Sequence, residues 1–131
     1  MFETAYCKVE YLENKNAVFC QWKQFCNAEN YRKPLEFGLE LINEHNASTW
    51  ITDTTLGFES EPGDTLWLIE TFMPKAIDSP CKKIAFIIDE DSPLQEEIER
   101  QLTALSQYFN VQKLESIAHF KASDMSIKGI L

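Results

Sequence analysis

The side chains best suited to chemistry are concentrated between Asp53 and Asp64, a segment that follows a predicted strand. A carboxylate such as Asp53 at a strand end can cap the next helix, bind a ligand hydroxyl or act as a general base. A phosphate on Thr54, Thr55 or Ser60 would add local negative charge, although hydroxyls of this kind also bond the backbone in turns. The sequence favours turn formation for Asp53, Thr54 and Thr55, and it makes the whole segment a candidate switch or ligand loop.

A second acidic group, Asp89-Glu90-Asp91, follows a later predicted strand. With Asp53 it could form a weak divalent-cation site or the carboxylate pair of an enzyme, but a solvated acidic loop is the favoured interpretation. His45 falls at a predicted helix C-terminus, where the helix dipole favours an imidazolium, and His119 lies far from it in the sequence. Without a nucleophile-elbow pattern, we predict no catalytic set, no metal site and no cofactor.

Aromatic residues form the second candidate site. Trp22, Trp50, Trp67 and Phe86 provide large apolar area on stiff side chains. Core packing is the favoured role for them. A pocket for an apolar small molecule is the alternative.

Length and charge restrict the class of protein. The 131 residues and the 44% hydrophobic content are typical of one globular domain, which we assign to residues 1–131. The 21 acidic and 12 basic side chains give a formal net charge of −9, which repels phosphate backbones and anionic headgroups. We therefore expect no nucleic-acid partner.

The cysteines indicate a reducing compartment. No two of Cys7, Cys20, Cys26 and Cys81 have the two-residue spacing of zinc or redox sites. The N-terminus lacks a charged-then-apolar signal segment, and the longest apolar run, residues 84–88, is too short to cross a bilayer. These features predict a cytoplasmic chain with reduced thiols and no membrane insertion.

The N-terminal third predicts a hairpin and a helix. Two strand-like runs, residues 5–12 and 16–22, are separated by three polar residues, as in antiparallel hairpins. Apolar residues at intervals of three or four predict a helix over residues 28–45. Phe37 and Leu41 fall off its main stripe and widen its apolar surface, and an exposed part of that surface would suit a homodimer or partner contact.

A second helix is predicted to begin at Asp64, which is a good N-cap residue. Leu66, Ile69 and Met73 follow at helical spacing and define its predicted buried face. We expect this helix to end or kink near Pro74.

Strands are also predicted over residues 48–52, 83–89 and 110–116, the first of them central in the sheet. The unbroken apolar run of the second suits a strand covered by helices on both faces or at the centre of a sheet. Further helices are predicted from Ser92 and from Ser123. The order of elements implies an α/β fold: a mixed, mostly parallel sheet of about five strands, with an N-terminal antiparallel hairpin and about four helices.

This pattern resembles the STAS-like proteins related to anti-sigma-factor antagonists, and also their lipid-transfer-like relatives. The residues that carry the resemblance are Thr52-Asp53-Thr54 closing a strand, the Trp67 helix, the strand over residues 83–89, Phe120, Ile127, Ile130 and Leu131. In regulatory STAS-like members, a serine or threonine in an Asp-Ser-Ser-Gly type loop is phosphorylated, and this controls docking onto a partner kinase. Here Glu61-Pro62-Gly63-Asp64 occupies that place, so no hydroxyl stands in the usual slot.

The resemblance and the lack of a catalytic pattern together predict a non-enzymatic, cytoplasmic STAS-like regulatory or protein-interaction module. Its expected partner is another protein or a second copy of the chain. The alternative is a carrier or sensor for an apolar or lipid-like small molecule held between helices and sheet.

Overall fold

The computed structural model describes residues 1–56, 61–88 and 95–114, and within these ranges the chain forms six strands and three helices. The helix called α2 consists of α-helical Pro62–Trp67, a π-helical turn at Leu68–Phe72, and α-helical Met73–Ile77. The other elements are β1 (Phe2–Glu3), β2 (Cys7–Leu12), β3 (Ala17–Trp22), α1 (Glu29–His45), β4 (Thr49–Asp53), β5 (Lys83–Ile87), α3 (Gln95–Leu105) and β6 (Asn110–Leu114).

All six strands lie in one sheet, in the same order as in the sequence. β1, β2 and β3 form an antiparallel meander, and β3 to β6 are parallel, each joined to the next by a helix. This confirms the predicted α/β class with its N-terminal hairpin. β1 is a sixth strand that was not predicted, because two residues are too short to show a period. The fourth predicted helix, from Ser123, lies outside the described residues.

The helices pack on one side of the sheet, which we call the helix-covered face. Three right-handed crossovers that each advance one strand in the same direction place their helices on the same side. One buried cluster accordingly joins strand residues such as Val18, Trp50 and Phe86 to residues of all three helices. The helical members include Tyr31, Leu35 and Ile42 from α1, Phe72 and Ala76 from α2, and Leu102 from α3.

The other side of the sheet, which we call the opposite face, carries a second, smaller cluster. Its buried members are Ala17, Ile51, Ala85, Ile87 and Leu114, with Phe19 packed against them. None of the three described helices contributes a residue to it. β5 lies between β4 and β6 with every residue buried, which accounts for its unbroken apolar run.

Helix α1 begins within one residue of its predicted start, and the local structure there compensates for a proline. Ala28 precedes the helix with a positive φ of 50°. Pro34 has no N–H to donate to the carbonyl of Asn30, and the Cys26 thiol approaches that carbonyl at 3.5 Å instead. Asn46 closes the helix in the left-handed conformation, with its N–H bonded to the carbonyl of Ile42.

The additional apolar residues of α1 pack against other parts of the same chain. Leu41 is buried in the main cluster. Phe37 is half-buried, and its ring lies 5.5 Å from that of Phe2 in β1. These two residues do widen the apolar surface of α1, but that added surface packs within the chain, and the edge strand β1, which the sequence pattern does not reveal, supplies a partner for Phe37.

The predicted buried face of α2 is only partly observed. Met73 packs against the helix-covered cluster as predicted, but Leu66 and Ile69 are exposed, and Phe72 and Ala76 are buried instead. The π-helical turn at Leu68–Phe72 adds a residue to the turn, so side chains that share a face before it no longer share one after it. A regular 3.6-residue period does not anticipate this shift.

Pro74 does not end α2, which continues to Ile77. Regular α-helical bonding is replaced immediately before the proline, where the N–H of Met73 reaches the carbonyl of Leu68. The distortion predicted at Pro74 is thus a widened turn inside a continuous helix. None of the described helices is long and apolar enough to cross a membrane.

Candidate functional site

Asp53 ends β4 and organises the turn that follows it. One carboxylate oxygen accepts the backbone N–H of Thr55 at 2.9 Å and the Thr55 hydroxyl at 2.7 Å. The other oxygen accepts the side-chain amide of Gln21, on the neighbouring strand, at 3.1 Å. These are turn-forming bonds of the kind the sequence favours for Asp53, and they occupy both oxygens of a buried carboxylate.

The hydroxyls of the candidate loop differ in accessibility. Thr54 is buried, and its hydroxyl donates to the carbonyl of Ile87 at 2.8 Å. Thr55 is exposed, but its hydroxyl lies against the Asp53 carboxylate. A phosphate on Thr54 would require the turn to open, whereas one on Thr55 would stand in solvent beside a like charge. Ser60 lies outside the described residues.

The sequence predicted Asp64 as the N-cap of α2, and this prediction is wrong. Glu61 occupies that position with an extended backbone, and Pro62 is the first helical residue. The Asp64 carboxylate points instead toward α1, where it accepts the N–H of Ala28 at 3.0 Å and the Arg32 Nε–H at 3.1 Å. A buried carboxylate with a charged partner therefore ties the segment that enters α1 to the start of α2.

Further contacts strengthen this connection, which we call the α1–α2 junction. Asn27 donates its side-chain amide to the Glu61 carboxylate at 3.1 Å. The guanidinium of Arg32 also lies over the Trp67 ring, 5.4 Å from its centroid, within cation–π range. Asp53 and Asp64, the two ends of the predicted loop, thus have separate sets of partners.

The aromatic candidates line a cavity on the helix-covered face. It has a volume of about 80 Å³. Three of the four aromatic candidates, Trp22, Trp50 and Phe86, belong to its wall, and Trp67 does not. The remaining wall is almost entirely apolar, with side chains from all three helices, including Ile42, Phe72, Ala76 and Leu105.

Trp50 is held rigidly in this wall. Its indole N–H donates to the Thr52 hydroxyl at 2.8 Å. Its ring packs directly on Gly38 of α1, where an added Cβ would lie only 2.3 Å from the indole. A glycine in a helix interior is the sequence signal that could have revealed this close approach, and our sequence reasoning missed it.

The aromatic rings continue from the cavity to the surface between α1 and α2. Trp22 stacks on Tyr31 with centroids 5.3 Å apart, and Tyr31 meets the edge of Trp67 at 6.3 Å. Phe72 then lies 5.7 Å from Trp67 and 6.0 Å from Trp50. Trp67 is therefore linked to the cavity through Tyr31 and Phe72, both of which line it.

Beside the cavity, α1 and α2 form a groove with a volume of about 180 Å³. Its floor contains Leu39, Trp67 and Phe72. Its rims are polar, with Glu36, Glu40 and Asn43 on α1 and Thr71 and Lys75 on α2. Leu39 and Phe72 line both the groove and the inner cavity.

The four cysteines are free and buried, and all belong to the helix-covered cluster. Burial raises the pKa of Cys81 and of Cys26 to about 11, and it raises the pKa of Cys20 well above its ordinary value. The sulfurs of Cys7 and Cys20 lie 3.6 Å apart on adjacent strands. High pKa values and burial are the properties of unreactive packing thiols.

The remaining candidates do not extend the site. His45 is in the last turn of α1, as predicted, with its ring stacked on Tyr11 at 3.9 Å. Asp89-Glu90-Asp91 and His119 lie outside the described residues. Within residues 1–56, 61–88 and 95–114 no three His, Cys, Asp or Glu side chains are grouped closely enough to hold a metal ion.

No protein-family model matches the chain, and no curated protein or solved structure matches it. The class of the protein therefore rests on its fold and its candidate site alone. The molecule is an α/β protein with a six-stranded mixed sheet, an apolar cavity under three helices on one face, and a bonded turn at the carboxyl end of β4.

Proposed function

We propose that this chain is a non-enzymatic, cytoplasmic STAS-like interaction module that binds a protein partner through α2 and the loops beside it. One observation carries the proposal: large apolar side chains are exposed on a helix that has its own buried face. Leu66 is 55% exposed, Ile69 59% and Ile77 37%, although all three belong to α2. Leu66 and Ile69, three residues apart in α2, are neighbours on the helix surface, and adjacent apolar exposure of this kind marks contact surfaces in soluble proteins.

Two loop residues are also apolar and exposed. Leu56, 60% exposed, follows β4, and Phe25, 46% exposed, follows β3. Because β3 and β4 are parallel, both residues lie beyond the carboxyl ends of the strands, on the same end of the sheet. The α1–α2 junction ties the Phe25 segment to the start of α2, so these apolar side chains are presented by connected elements. We call Phe25, Leu56, Leu66 and Ile69 the α2 patch.

The geometry also suggests how docking could be regulated. Thr55 is exposed and directly precedes Leu56 of the α2 patch. Phosphate at this position would place negative charge beside an apolar contact surface and oppose docking. Thr54 is the matched control, because its hydroxyl is buried against the Ile87 carbonyl.

Site-specific photo-crosslinking in the native cells tests the proposal. A benzophenone amino acid at Leu66 is expected to give one discrete adduct, either with a second copy or with one other protein. Tyr108 provides the control. It is 59% exposed, but it precedes β6 and therefore lies at the amino ends of the parallel strands, away from the α2 patch. The proposal is overturned if positions 66 and 108 give the same diffuse adducts, or if position 66 gives none.

A second function is favoured by a different observation, the apolar cavity lined by Trp22, Trp50 and Phe86. An apolar cavity under three helices would suit a carrier or sensor of a small apolar molecule. Native mass spectrometry of gently purified protein tests this function. A retained small-molecule mass supports the carrier, and bare protein with no thermal shift from a panel of apolar compounds contradicts it.

A further inference from the structure

The opposite face of the sheet is buried, although none of the described helices lies on it. Ala17, Ile51 and Ala85 have no exposed surface in a single chain, and Ile87 is 2% exposed. Every described member of this smaller cluster is a strand residue. Side chains on a strand stand roughly perpendicular to the sheet, so their outer ends meet solvent unless a second layer covers them. The burial therefore requires a layer that belongs to the same chain.

The strand register shows how far this layer extends. Thr49 and Lys83 lie two residues before Ile51 and Ala85, so they point to the same face, and both have no exposed surface. On an uncovered sheet a lysine would extend its ammonium group into water. At β6, the side-chain oxygen of Gln112 is buried as well. The layer therefore reaches from β3 to β6, about 14 Å across the strands, and it also covers their amino ends.

Charged residues mark the border of the covered area. Lys8 and Glu10 on β2 form an ion pair at 3.5 Å, and their side chains remain 32% and 28% exposed. Val9, between them, belongs to the helix-covered cluster, so these two charged side chains point to the opposite face. An apolar centre with a polar border is the composition of a contact surface.

The short connections of the chain cannot supply the layer. Outside the described residues the chain comprises 57–60, 89–94 and 115–131. The first two connect the carboxyl ends of β4 and β5 to helices on the other face. Lys83 lies at the amino end of β5, about 13 Å from its carboxyl end, so a path there and back is about 26 Å. A connection as short as 89–94 spans at most about 21 Å when it is fully extended.

Residues 115–131 have the position, length and composition that the layer requires. They follow β6 directly, beside the covered area. A chain of this length wound as a helix would be about 25 Å long, more than the width of the covered area. Its acidic residues Glu115 and Asp124 are balanced by Lys121 and Lys128, so covering the face brings no excess charge to an apolar surface. Its larger apolar residues are Ile117, Phe120, Met125, Ile127, Ile130 and Leu131.

We propose that the opposite face of the sheet is an intramolecular docking surface and that residues 115–131 of the same chain occupy it. Ile127 and Ile130, on one side of the helix that the sequence predicts from Ser123, rest on the surface formed by Ile51 and Ala85. The docked segment closes this face to other proteins. The inference goes beyond the functions proposed above and does not depend on either of them.

Photo-crosslinking within the purified full-length chain tests the occupant. A benzophenone amino acid replaces Phe19, which is half-buried and packs against the opposite-face cluster. We expect an intramolecular adduct that maps to the tryptic peptides spanning residues 114–128. Position 66 on α2 is the control and should give no adduct with these peptides. If position 19 reacts with a second copy instead, or gives no adduct beyond residue 114, the proposal is overturned.

A charge within the segment tests which side of it docks. Ile127→Asp places a carboxylate on the proposed apolar side, where burial of a charge is costly, and should lower the adduct yield from position 19 at least tenfold. Lys128→Asp introduces the same side chain at the neighbouring position and should leave the yield nearly unchanged. Equal yields from the two variants would contradict docking through Ile127. If Ile127→Asp does not fold, the crosslink from position 19 in the otherwise unaltered chain still decides the proposal.

A synthetic peptide of residues 115–131 provides a complementary measurement. Added to the Ile127→Asp protein, the peptide of natural sequence should bind the uncovered face and raise the melting temperature. The same peptide carrying Ile127→Asp should have no effect. A melting temperature that neither peptide raises, or that both raise equally, would count against a docking surface for this segment.

Discussion

The two faces of the sheet are packed in different ways. The helix-covered face carries large aromatic side chains such as Trp22, Trp50 and Phe86, and a cavity remains between them and the helices. The opposite face carries small and branched residues, among them Ala17, Ile51 and Ala85, all with no exposed surface. Large rings of fixed shape leave gaps that small side chains do not. The space for a ligand therefore lies under the helices.

Truncating one isoleucine on each face tests this difference most strongly. Ile51→Ala, in the close-packed opposite face, should lower the free energy of unfolding by about 4 kcal/mol, near the upper end for such changes. Ile84→Ala removes the same atoms beside an existing cavity, where fewer contacts are lost, so we expect about 2 kcal/mol. Urea denaturation measures both. Equal losses would show that the two faces are packed alike.

A pair of glycine substitutions sharpens the comparison at a single contact. Gly38→Ala drives a methyl group into the Trp50 ring and should destabilise the protein by about 2 kcal/mol, with a change in tryptophan fluorescence. Gly63→Ala, on α2, meets nothing within 4 Å and should be neutral or stabilising by up to about 1 kcal/mol. Thermal melting compares the two variants. An unperturbed Gly38→Ala protein would show that Trp50 does not depend on this contact.

The thiols provide an effect that appears only in alkali and is confined to the helix-covered face. The pKa of Cys81 is raised by burial to about 11, above the ordinary value of a thiol, so in alkali the unfolded chain loses its proton first. The stability that this thiol contributes is complete below pH 9 and is lost as the pH rises toward 11, at up to about 1.4 kcal/mol per pH unit.

Cys81→Ala isolates this contribution, because other alkaline groups titrate equally in both proteins. The free energy of unfolding of the variant should fall less steeply between pH 9 and 10.5 than that of the wild-type protein. Parallel curves would show that Cys81 ionises as readily in the folded chain as in the unfolded one.

The sheet was predictable because its signals are local. The hairpin, the α1 helix and the apolar run of β5 are each visible within a few residues, and the alternation of strands and helices then dictates a mostly parallel sheet. Most predicted bounds lie within two residues of those observed; the N-cap of α2, predicted at Asp64 and observed three residues earlier at Glu61, is an exception. Only the edge strand Phe2–Glu3 was too short to be recognised.

The candidate site was less predictable because its contacts join distant parts of the chain. Asp64 bonds to Ala28, which lies 36 residues earlier. In a sequence, an aspartate that precedes a helical pattern of apolar residues gives no sign of whether its carboxylate caps that helix or bonds to a different one. The packing of Trp50 on Gly38 is also a contact between different elements. For α2, the single extra residue of the π-helical turn moved Leu66 and Ile69 from the predicted core to the surface.

The order of strands in the sheet also has a consequence for synthesis on the ribosome. Every strand from β2 to β6 pairs with the strand that precedes it in the sequence. Such neighbour-to-neighbour pairing keeps the segments that must close shorter than they would be if distant strands were paired. As the chain emerges N-terminus first, the β2–β3 hairpin can form at once and each later strand finds its template already made, so the sheet can grow one helix and one strand at a time.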